Sequence, residues 1–351
     1  MLDRMFYAIG WDIGGAHVKV CVCDNHKIIN VYQVACPLWQ GLDQLEQALE
    51  TLIKKLPCNK PQHHAVTMTG ELVDTFTNRH EGVYHILQTL KILIRDHSNL
   101  LSIFCGPSGL VAFDKIDDTY FDRIASTNWL ASALFGAKQF PYSLFVDVGS
   151  TTTDILLCEN GIVQTDALSD YDRLISQELI YTGIVRTPVM AVVYTVTEDD
   201  HEVGVIAEYF ATMADVYRII GKLKPSHDQT ATADGRLKTI PDSARRLSRM
   251  IGADFKPEEL SRWQTLATQI YLAQRQRIEN ACLRQLNKKS TPPKYPFIGA
   301  GIGRFLVEEI AQHLECPYID FTALIDQNPS SDFNAGDCAP AAAVAQLIYQ
   351  Y

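Results

Sequence analysis

Two aspartates flank a turn of small hydroxyl residues in the middle of the chain, within the stretch FVDVGSTTTDILL (145–157). The carboxylates belong to Asp147 and Asp154, and the residues between them that could contact a phosphate are Gly149, Ser150, Thr151 and Thr152. Such a turn offers close backbone N–H groups and hydroxyl donors, with no bulky side chain to keep a phosphate away. The two carboxylates could hold a divalent cation against that phosphate. An ordinary hairpin with Thr at strand-favouring positions is the alternative.

A stretch near the N-terminus repeats this pattern. YAIGWDIGGAHVKVCVCD (7–24) places Asp12 between two apolar runs, as YSLFVDVGSTTTDILLCEN (142–160) places Asp147. The candidate phosphate contacts of the first stretch are Gly14, Gly15, His17 and Lys19. A repeat offset by about 135 residues predicts two similarly built domains whose hairpins hold one phosphate chain from both sides. We therefore expect Mg²⁺ between Asp12, Asp147 and Asp154.

A third glycine cluster, FIGAGIGR (297–304), follows a predicted strand and opens an amphipathic helix. Glycines at such a junction let the chain turn sharply and let a ligand lie flat on the backbone. Close packing of helix on strand is the alternative. The candidate nucleotide or substrate contacts are Gly299, Gly301 and Gly303.

Further candidates lie outside the glycine clusters. Arg186, before Thr187 and Pro188, is a candidate for binding an anionic substrate group, with a surface loop arginine as the alternative. Asp234 lies in the polar segment 224–241 and is a candidate substrate contact, although turn chemistry alone also explains that loop. The cluster of Arg245, Arg246 and Arg249 is typical of a solvated helix face.

The elements that must position these residues alternate between strand and helix. A third strand at 27–35 completes a meander with the first hairpin, and strands at 64–69 and 100–105 alternate with helices. After the second hairpin we expect a helix at 171–181. This order predicts an α/β chain of mixed sheets: a first domain over 1–140, joined by a C-terminal helix at 337–351, and a second over 141–336 with a helical insertion at about 208–290.

Length and composition limit the function classes. The 351 residues suffice for two domains, and 47% hydrophobic with 21% charged residues is typical of a globular protein. The net charge of −10 argues against a nucleic-acid or membrane partner held by a general basic field. Nine scattered cysteines without a CxxC pair, and the absence of an export leader or apolar span in the sequence, predict a cytoplasmic protein. The sequence does not fix the oligomeric state.

In their order along the chain, the DIGG, DVGSTTTD and GAGIG motifs resemble the phosphate-1, phosphate-2 and adenosine motifs of the actin, sugar-kinase and heat-shock-chaperone superfamily. The resemblance covers the whole chain. It implies two ribonuclease-H-like, actin-fold domains with a ligand cleft between them. It also implies Mg²⁺ as cofactor, and either ATP or a small-molecule diphosphate as the phosphate ligand.

The Thr-rich second motif is similar to that of the hydantoinase/oxoprolinase branch. Within this branch the chain resembles a narrower group found beside tetrahydromethanopterin-linked one-carbon genes, the methanofuran-biosynthesis synthases. The segments that carry this resemblance are TMTGEL (67–72), YTGIVRTPV (181–189), ADVYRIIGKL (214–223) and TADG (232–235).

That narrower resemblance implies a transferase. It joins an aminomethylfuran-methyl diphosphate to the phenol of γ-glutamyl-tyramine or γ-glutamyl-tyrosine and releases diphosphate. Asp12 and Asp147 are then the catalytic carboxylates that hold the metal against the leaving group, and Glu71 is the candidate base for a phenol whose pKa is near 10. The alternatives are an ATP-dependent small-molecule kinase or oxoprolinase-type amidohydrolase, and a non-catalytic nucleotide-binding switch.

Overall fold

The computed structural model describes residues 6–94, 100–288, 294–328 and 331–350. Its strands form two large sheets and one short two-stranded ribbon. The outermost ends of the predicted first domain and C-terminal helix, residues 1–5 and 351, lie outside the described residues.

The first sheet is built from the N-terminal part of the chain. Its strands and accompanying helices are β1 (Tyr7–Ile13), β2 (His17–Asp24), β3 (Lys27–Ala35), α1 (Leu42–Ile53), β4 (Gln62–Met68), α2 (Arg79–Leu93), β5 (Leu100–Phe104), β6 (Leu110–Ala112), α3 (Phe121–Ile124) and α4 (Asn128–Gln139). β2 pairs antiparallel with β1 and β3, whereas β4 and β5 run parallel to β1. The order is β3-β2-β1-β4-β5-β6.

The second sheet repeats this plan. The elements from the second hairpin onward are β7 (Ser143–Val148), β8 (Thr153–Glu159), β9 (Ile162–Val163), α5 (Asp170–Ser176), β10 (Leu179–Ile180), β11 (Thr195–Glu198), β12 (His201–Gly204), α6 (Met213–Ile219), α7 (Ile240–Arg249), α8 (Leu260–Leu286), β13 (Phe297–Ala300), α9 (Arg304–His313), β14 (Tyr318–Asp320) and α10 (Ala339–Leu347). β8 is antiparallel to β7, and β13 and β14 continue the sheet in parallel. β7, β8, β13 and β14 thus correspond to β1, β2, β4 and β5.

Two helices, α4 and α10, lie in a hydrophobic core shared by both sheets. This core joins Ala8 of β1 to Phe145 of β7 and Ile298 of β13. Every residue of α10 is buried, and a side chain at Gly10 would collide with the Ala341 backbone oxygen. Alanine forms helices readily and has a small side chain, so the backbone of α10 can come into direct contact with the backbone of the sheet. The C-terminal helix therefore packs on the first sheet, although the domain boundaries themselves stay a prediction.

Two segments show how far periodicity predicts helices. The predicted insertion does contain α6, α7 and α8. The helix predicted at 171–181 is too long: α5 ends at Ser176 because Gln177 takes a left-handed conformation (φ 60°), and Leu179–Ile180 pairs with β8 instead.

None of the helices in the described ranges is long and apolar enough to cross a membrane.

Candidate functional site

The two predicted hairpins meet at one cavity of about 430 Å³. Residues from both hairpins line its wall: Asp12, Gly14, Gly15, His17, Lys19, Asp147, Gly149, Ser150, Thr151, Thr152 and Asp154. The structure therefore brings together every hairpin residue that the sequence singles out, including the three predicted metal ligands. Their binding roles remain predictions.

The two turns have the same backbone geometry. The Gly14 N–H donates to the His17 carbonyl at 3.0 Å, and the Gly149 N–H donates to the Thr152 carbonyl at 2.9 Å. Because each turn spans the same number of residues, the flanking strands also pair in the same register. The repeated sequence thus produces a repeated shape, and both turns present small residues to the cavity.

The carboxylate of the first hairpin is held by two partners. Lys19 Nζ lies 3.4 Å from Asp12 Oδ2, and Asn128 Nδ2 donates to Asp12 Oδ1 at 3.2 Å. Burial, the largest single effect, would lower the pKa of Lys19, but the nearby acidic groups, with Asp12 foremost, together outweigh it and raise the pKa overall. Lys19 therefore remains a cation at the cavity wall.

Asp147, the corresponding carboxylate of the second hairpin, forms no ion pair with any residue that the structure describes. Burial, and then the negative charge of Asp154, raise the pKa of Asp147 to about 7. Asp154 itself accepts a hydrogen bond of 2.6 Å from Arg173 Nη2. Burial raises the pKa of Asp154 although Arg173 opposes the shift. Arg173 is fully buried, and its guanidinium stacks 3.9 Å from the centre of the Trp129 ring.

These contacts test the predicted magnesium site. In the part of the chain that the structure describes, no three His, Cys, Asp or Glu side chains are arranged to hold a metal ion. Asp154 is bound to Arg173, so the predicted three-carboxylate set is not formed. Asp12 and Asp147 still line the cavity together, and Mg²⁺ usually takes one or two protein carboxylates plus phosphate oxygens and water. Asp147 is a buried carboxylate beside another negative charge, and a bound cation would stabilise its charged form. Asp12 and Asp147 therefore fit Mg²⁺.

His17 faces a cationic side of the cavity. Its side chain is only 5% exposed, and its Nε2 has no hydrogen-bond partner among the described residues. Burial, followed by the charges of Lys19, Arg186 and Lys238, lowers the pKa of His17 to about 3. The imidazole is therefore neutral at physiological pH and can hydrogen-bond to an oxygen of a bound ligand.

An aromatic wall adjoins the hairpins. The guanidinium of Arg186 lies 5.2 Å from the centre of the Trp39 ring, and both side chains line the cavity together with Tyr181. Trp39 and Tyr181 are 42% and 59% exposed. Large apolar rings left in contact with solvent beside a cation favour a planar, negatively charged ligand.

The predicted base, Glu71, is not on the cavity wall. It is 1% exposed, and its Oε1 accepts a hydrogen bond of 2.6 Å from Ser126 Oγ. Ser126 does line the cavity. Glu71 is therefore buried behind a lining residue and is not itself exposed to the cavity, and its role as base stays a prediction.

The third glycine cluster lies outside the cavity wall, and close packing accounts for its residues. A side chain at Gly299 would come within 2.6 Å of the Tyr318 ring, and one at Gly303 would come equally close to Val148. Gly301 has a φ of 80° and lies against the Val148 carbonyl, so only glycine fits there. The ligand role predicted for these glycines is untested, but the packing alternative explains them.

Asp234 also lies away from the cavity. Its Oδ1 accepts 2.9 Å from Arg246 Nη1 and 3.1 Å from the Arg236 N–H. Arg246 is fully buried and also binds Asp215, which corrects the prediction of a solvated position for this arginine, whereas Arg249 of the same cluster is exposed. The Asp234 carboxylate thus stabilises the polar loop, and its substrate role stays an untested prediction.

Several lining residues carry no signal in the sequence. They come from elements between the motifs: Trp39, Asn128, Trp129, Ser126, Asp170 and Arg173. Only Ser126 shows a local peculiarity, a left-handed φ of 52°, and that appears in the structure alone.

Two sheets of matching strand order, each ending in a glycine-turn hairpin at a common cavity, define an actin-like α/β protein. The chain belongs to the hydantoinase/oxoprolinase family, whose model matches residues 62–346. The predicted family and fold class are thereby confirmed.

Two curated relatives share one name, (4-{4-(2-(gamma-L-glutamylamino)ethyl)phenoxymethyl}furan-2-yl)methanamine synthase. The Methanocaldococcus jannaschii protein is 30% identical over 249 residues, which cover 70% of this chain and 72% of the relative. The Methanococcus vannielii protein is 32% identical over 111 residues, which cover 32% of this chain and 50% of the relative.

A solved structure with the same fold is nucleotide-free acetone carboxylase. Its TM-score is 0.52 at 9% identity, and the match covers 88% of this chain and 67% of that one. At that identity the likeness supports the actin-like fold and nothing about the ligand.

Proposed function

We propose that this protein is a transferase that forms an aryl ether. It joins an aminomethylfuran-methyl diphosphate to the phenol of γ-glutamyl-tyramine or γ-glutamyl-tyrosine and releases diphosphate. The names of both curated relatives contain this phenoxymethyl linkage to a furan, which supports the assignment. We place the reaction in cytoplasmic methanofuran biosynthesis, within tetrahydromethanopterin-linked one-carbon metabolism.

The observation that carries the proposal is the pair of equivalent hairpins at one cavity. A diphosphate that leaves a furan methylene carbon gains negative charge as the C–O bond breaks, and groups fixed in advance around it stabilise that charge. Lys19 supplies a cation, while the hydroxyls of Ser150 and Thr151, 3.4 Å apart, supply donors from the opposite turn. The neutral His17 adds a further donor from its N–H.

Asp12 and Asp147 would hold the Mg²⁺ ion. When bound, the ion would add positive charge beside the diphosphate oxygens. The protein's own contribution is to keep both carboxylates at the cavity, with Asn128 and Lys19 fixing Asp12 in place.

The phenolic acceptor fits the aromatic wall. Its ring can pack on Trp39 and Tyr181, and its glutamyl carboxylate can pair with Arg186. Arg186 is already oriented by Trp39, so little side-chain entropy is lost when it binds the carboxylate. These groups would place the acceptor next to the diphosphate hairpins.

The test combines purified protein, Mg²⁺, the furan diphosphate and each acceptor, with and without ATP. We expect ether by mass spectrometry and one diphosphate released per ether, with no need for ATP. Asp147→Asn should lose the activity, while Asp166→Asn, at an exposed residue that does not line the cavity, should keep it. Turnover only with ATP would favour the kinase or amidohydrolase alternative, and absence of ether under all conditions would exclude the proposed reaction.

A further inference from the structure

A line of hydrogen-bonding side chains borders the cavity without involving either hairpin. Ser126 Oγ donates to Glu71 Oε1 at 2.6 Å and lies 3.4 Å from Asp170 Oδ2. Arg79 Nη2 lies 3.3 Å from the same Asp170 oxygen. Ser126 and Asp170 line the cavity, whereas Glu71 is buried behind them. The line therefore runs from the protein interior to the cavity surface.

Ser126 links the buried carboxylate to the one at the cavity. Burial, the largest effect on Glu71, raises its pKa, and the hydrogen bond from Ser126 opposes that shift. The single Ser126 proton can be donated to either carboxylate, so the hydroxyl couples Glu71 to Asp170. At the outer end Arg79 Nη2 pairs with Asp170 Oδ2 beside the cavity. The carboxylate that a substrate can reach is therefore that of Asp170, because Glu71 is buried.

The other carboxylates at the cavity are held more closely than Asp170, whose contacts with Arg79 and Ser126 are 3.3 and 3.4 Å and both fall on Oδ2. Asp12 is bound at both oxygens, by Lys19 and Asn128, and Asp154 is bound at 2.6 Å by the buried Arg173. Asp147 belongs to the proposed metal site. Asp74 lines the cavity but is exposed to water. His17 is a poor proton acceptor because of its low pKa.

We propose that Asp170 is the catalytic base that accepts the phenol proton of the acceptor, and that Ser126 and Glu71 are positioning residues that hold its carboxylate. This inference rests on the proposed function. The phenol O–H bond breaks and its proton passes to Asp170 Oδ. The phenol oxygen then forms a bond to the furan methylene carbon with its electron pair, and the C–O bond to diphosphate breaks with its electrons on the leaving oxygen. Asp170 returns its proton to water after product release.

The charged groups around Asp170 come from several elements. Arg79 of α2, Glu71 of the turn after β4, Arg173 of α5 and Asp154 of β8 all act on this region. A simple pH profile would mix their ionisations. A better experiment varies the acidity of the acceptor's phenol and keeps the protein at a single pH.

The experiment compares γ-glutamyl-tyramine with ring-fluorinated versions whose phenols are more acidic, at fixed pH with saturating Mg²⁺ and furan diphosphate. Asp170→Asn should lower kcat by about 10²- to 10³-fold with the parent acceptor. Because an acidic phenol needs less help from a base, the defect should shrink steadily across the fluorinated series. Ser126→Gly suits the left-handed backbone and should show a smaller loss, about tenfold, with the same trend.

The matched control is Asp166→Asn, an exposed aspartate just ahead of the same helix, which should equal wild type with every acceptor. An unchanged kcat in Asp170→Asn, or a loss of equal size with all phenols, overturns the role of base. The second result would be expected if Asp170 only shaped the cavity or bound the furan's ammonium group. A wild-type protein that forms no ether with any acceptor overturns the proposed function and this inference together, so the two failures are distinguishable.

Discussion

Lys19 and Asp154 occupy equivalent positions on the two hairpins. Lys19 pairs across its strands with Asp12, and Asp154 pairs in the same register with Asp147. The first hairpin therefore contains an ion pair, whereas the second contains two like charges at the same place. Arg173 reaches Asp154 from α5 and compensates one of them. The other, Asp147, is left to face the cavity, and this is the observation on which the proposed Mg²⁺ site depends.

Replacement of Asp147 should raise stability while it removes activity. The carboxyl pKa is raised from 3.8 to about 7 in the folded protein, so folding favours the protonated form. Stability is then fully present below the unfolded pKa and falls as pH rises toward 7. Without Mg²⁺ at pH 8, Asp147→Asn should be more stable than wild type by up to about 4 kcal/mol, and the gain should vanish near pH 4.

Urea unfolding at several pH values measures this difference. Mg²⁺ should stabilise wild type at pH 8 and leave Asp147→Asn nearly unchanged, since the variant lacks one of the two carboxylates that we propose bind the ion. Equal stabilisation of both proteins by Mg²⁺ would place the ion elsewhere.

Loss of Arg173 should destabilise the fold. Its guanidinium is buried, stacks on Trp129 and compensates Asp154, so Arg173→Met leaves a carboxylate unpaired beside another one. We expect a loss of about 3 kcal/mol in the free energy of unfolding at pH 8, measured with urea. The double variant Arg173→Met with Asp154→Asn should recover much of that loss. Strictly additive losses in the two single variants would show that the pair is not coupled.

The hairpins could be predicted from sequence because the residues that determine them are close together in the chain. An aspartate, a glycine turn and two apolar runs determine strand, turn and strand within about a dozen residues. Their repetition then predicts the matching sheets. The glycine cluster at 297–304 was ambiguous for a physical reason. A backbone that closely approaches a ligand and one that closely approaches Val148 both leave no room for a side chain. Glycines are therefore expected in the sequence in either case.

The remaining cavity residues could not be predicted because only tertiary packing brings them there. Ser126 and Asp170 are separated along the chain by the whole second hairpin, and neither belongs to a motif. The prediction for Arg246 was wrong for a related reason. Its neighbours on the helix suggest a solvated face, but the carboxylate of Asp215, from another helix, pairs with the guanidinium and compensates its burial.

The lysine of the first hairpin should control affinity for the leaving group. Lys19→Met removes a cation from the cavity wall and leaves Asp12 without its ion-pair partner, so two effects weaken binding of an anion. We expect the Kd of inorganic diphosphate with Mg²⁺, measured by calorimetry, to rise by about 10- to 100-fold. Lys54→Met, at the exposed residue that follows the last residue of α1, should bind as wild type does. Unchanged affinity in Lys19→Met would remove Lys19 from the phosphate site.

Arg186 should recognise the carboxylate of the acceptor and not its phenol. In Arg186→Ala the kcat/KM for γ-glutamyl-tyramine should fall by about 10- to 100-fold, since a charge-assisted hydrogen bond is lost. Tyramine itself, which lacks the glutamyl carboxylate, should be a poor substrate for wild type and an equally poor one for the variant. Steady-state kinetics of both proteins with both acceptors form a thermodynamic cycle that isolates this contact. If Arg186→Ala impairs tyramine as strongly as γ-glutamyl-tyramine, the guanidinium instead serves the diphosphate or the shape of the Trp39 wall.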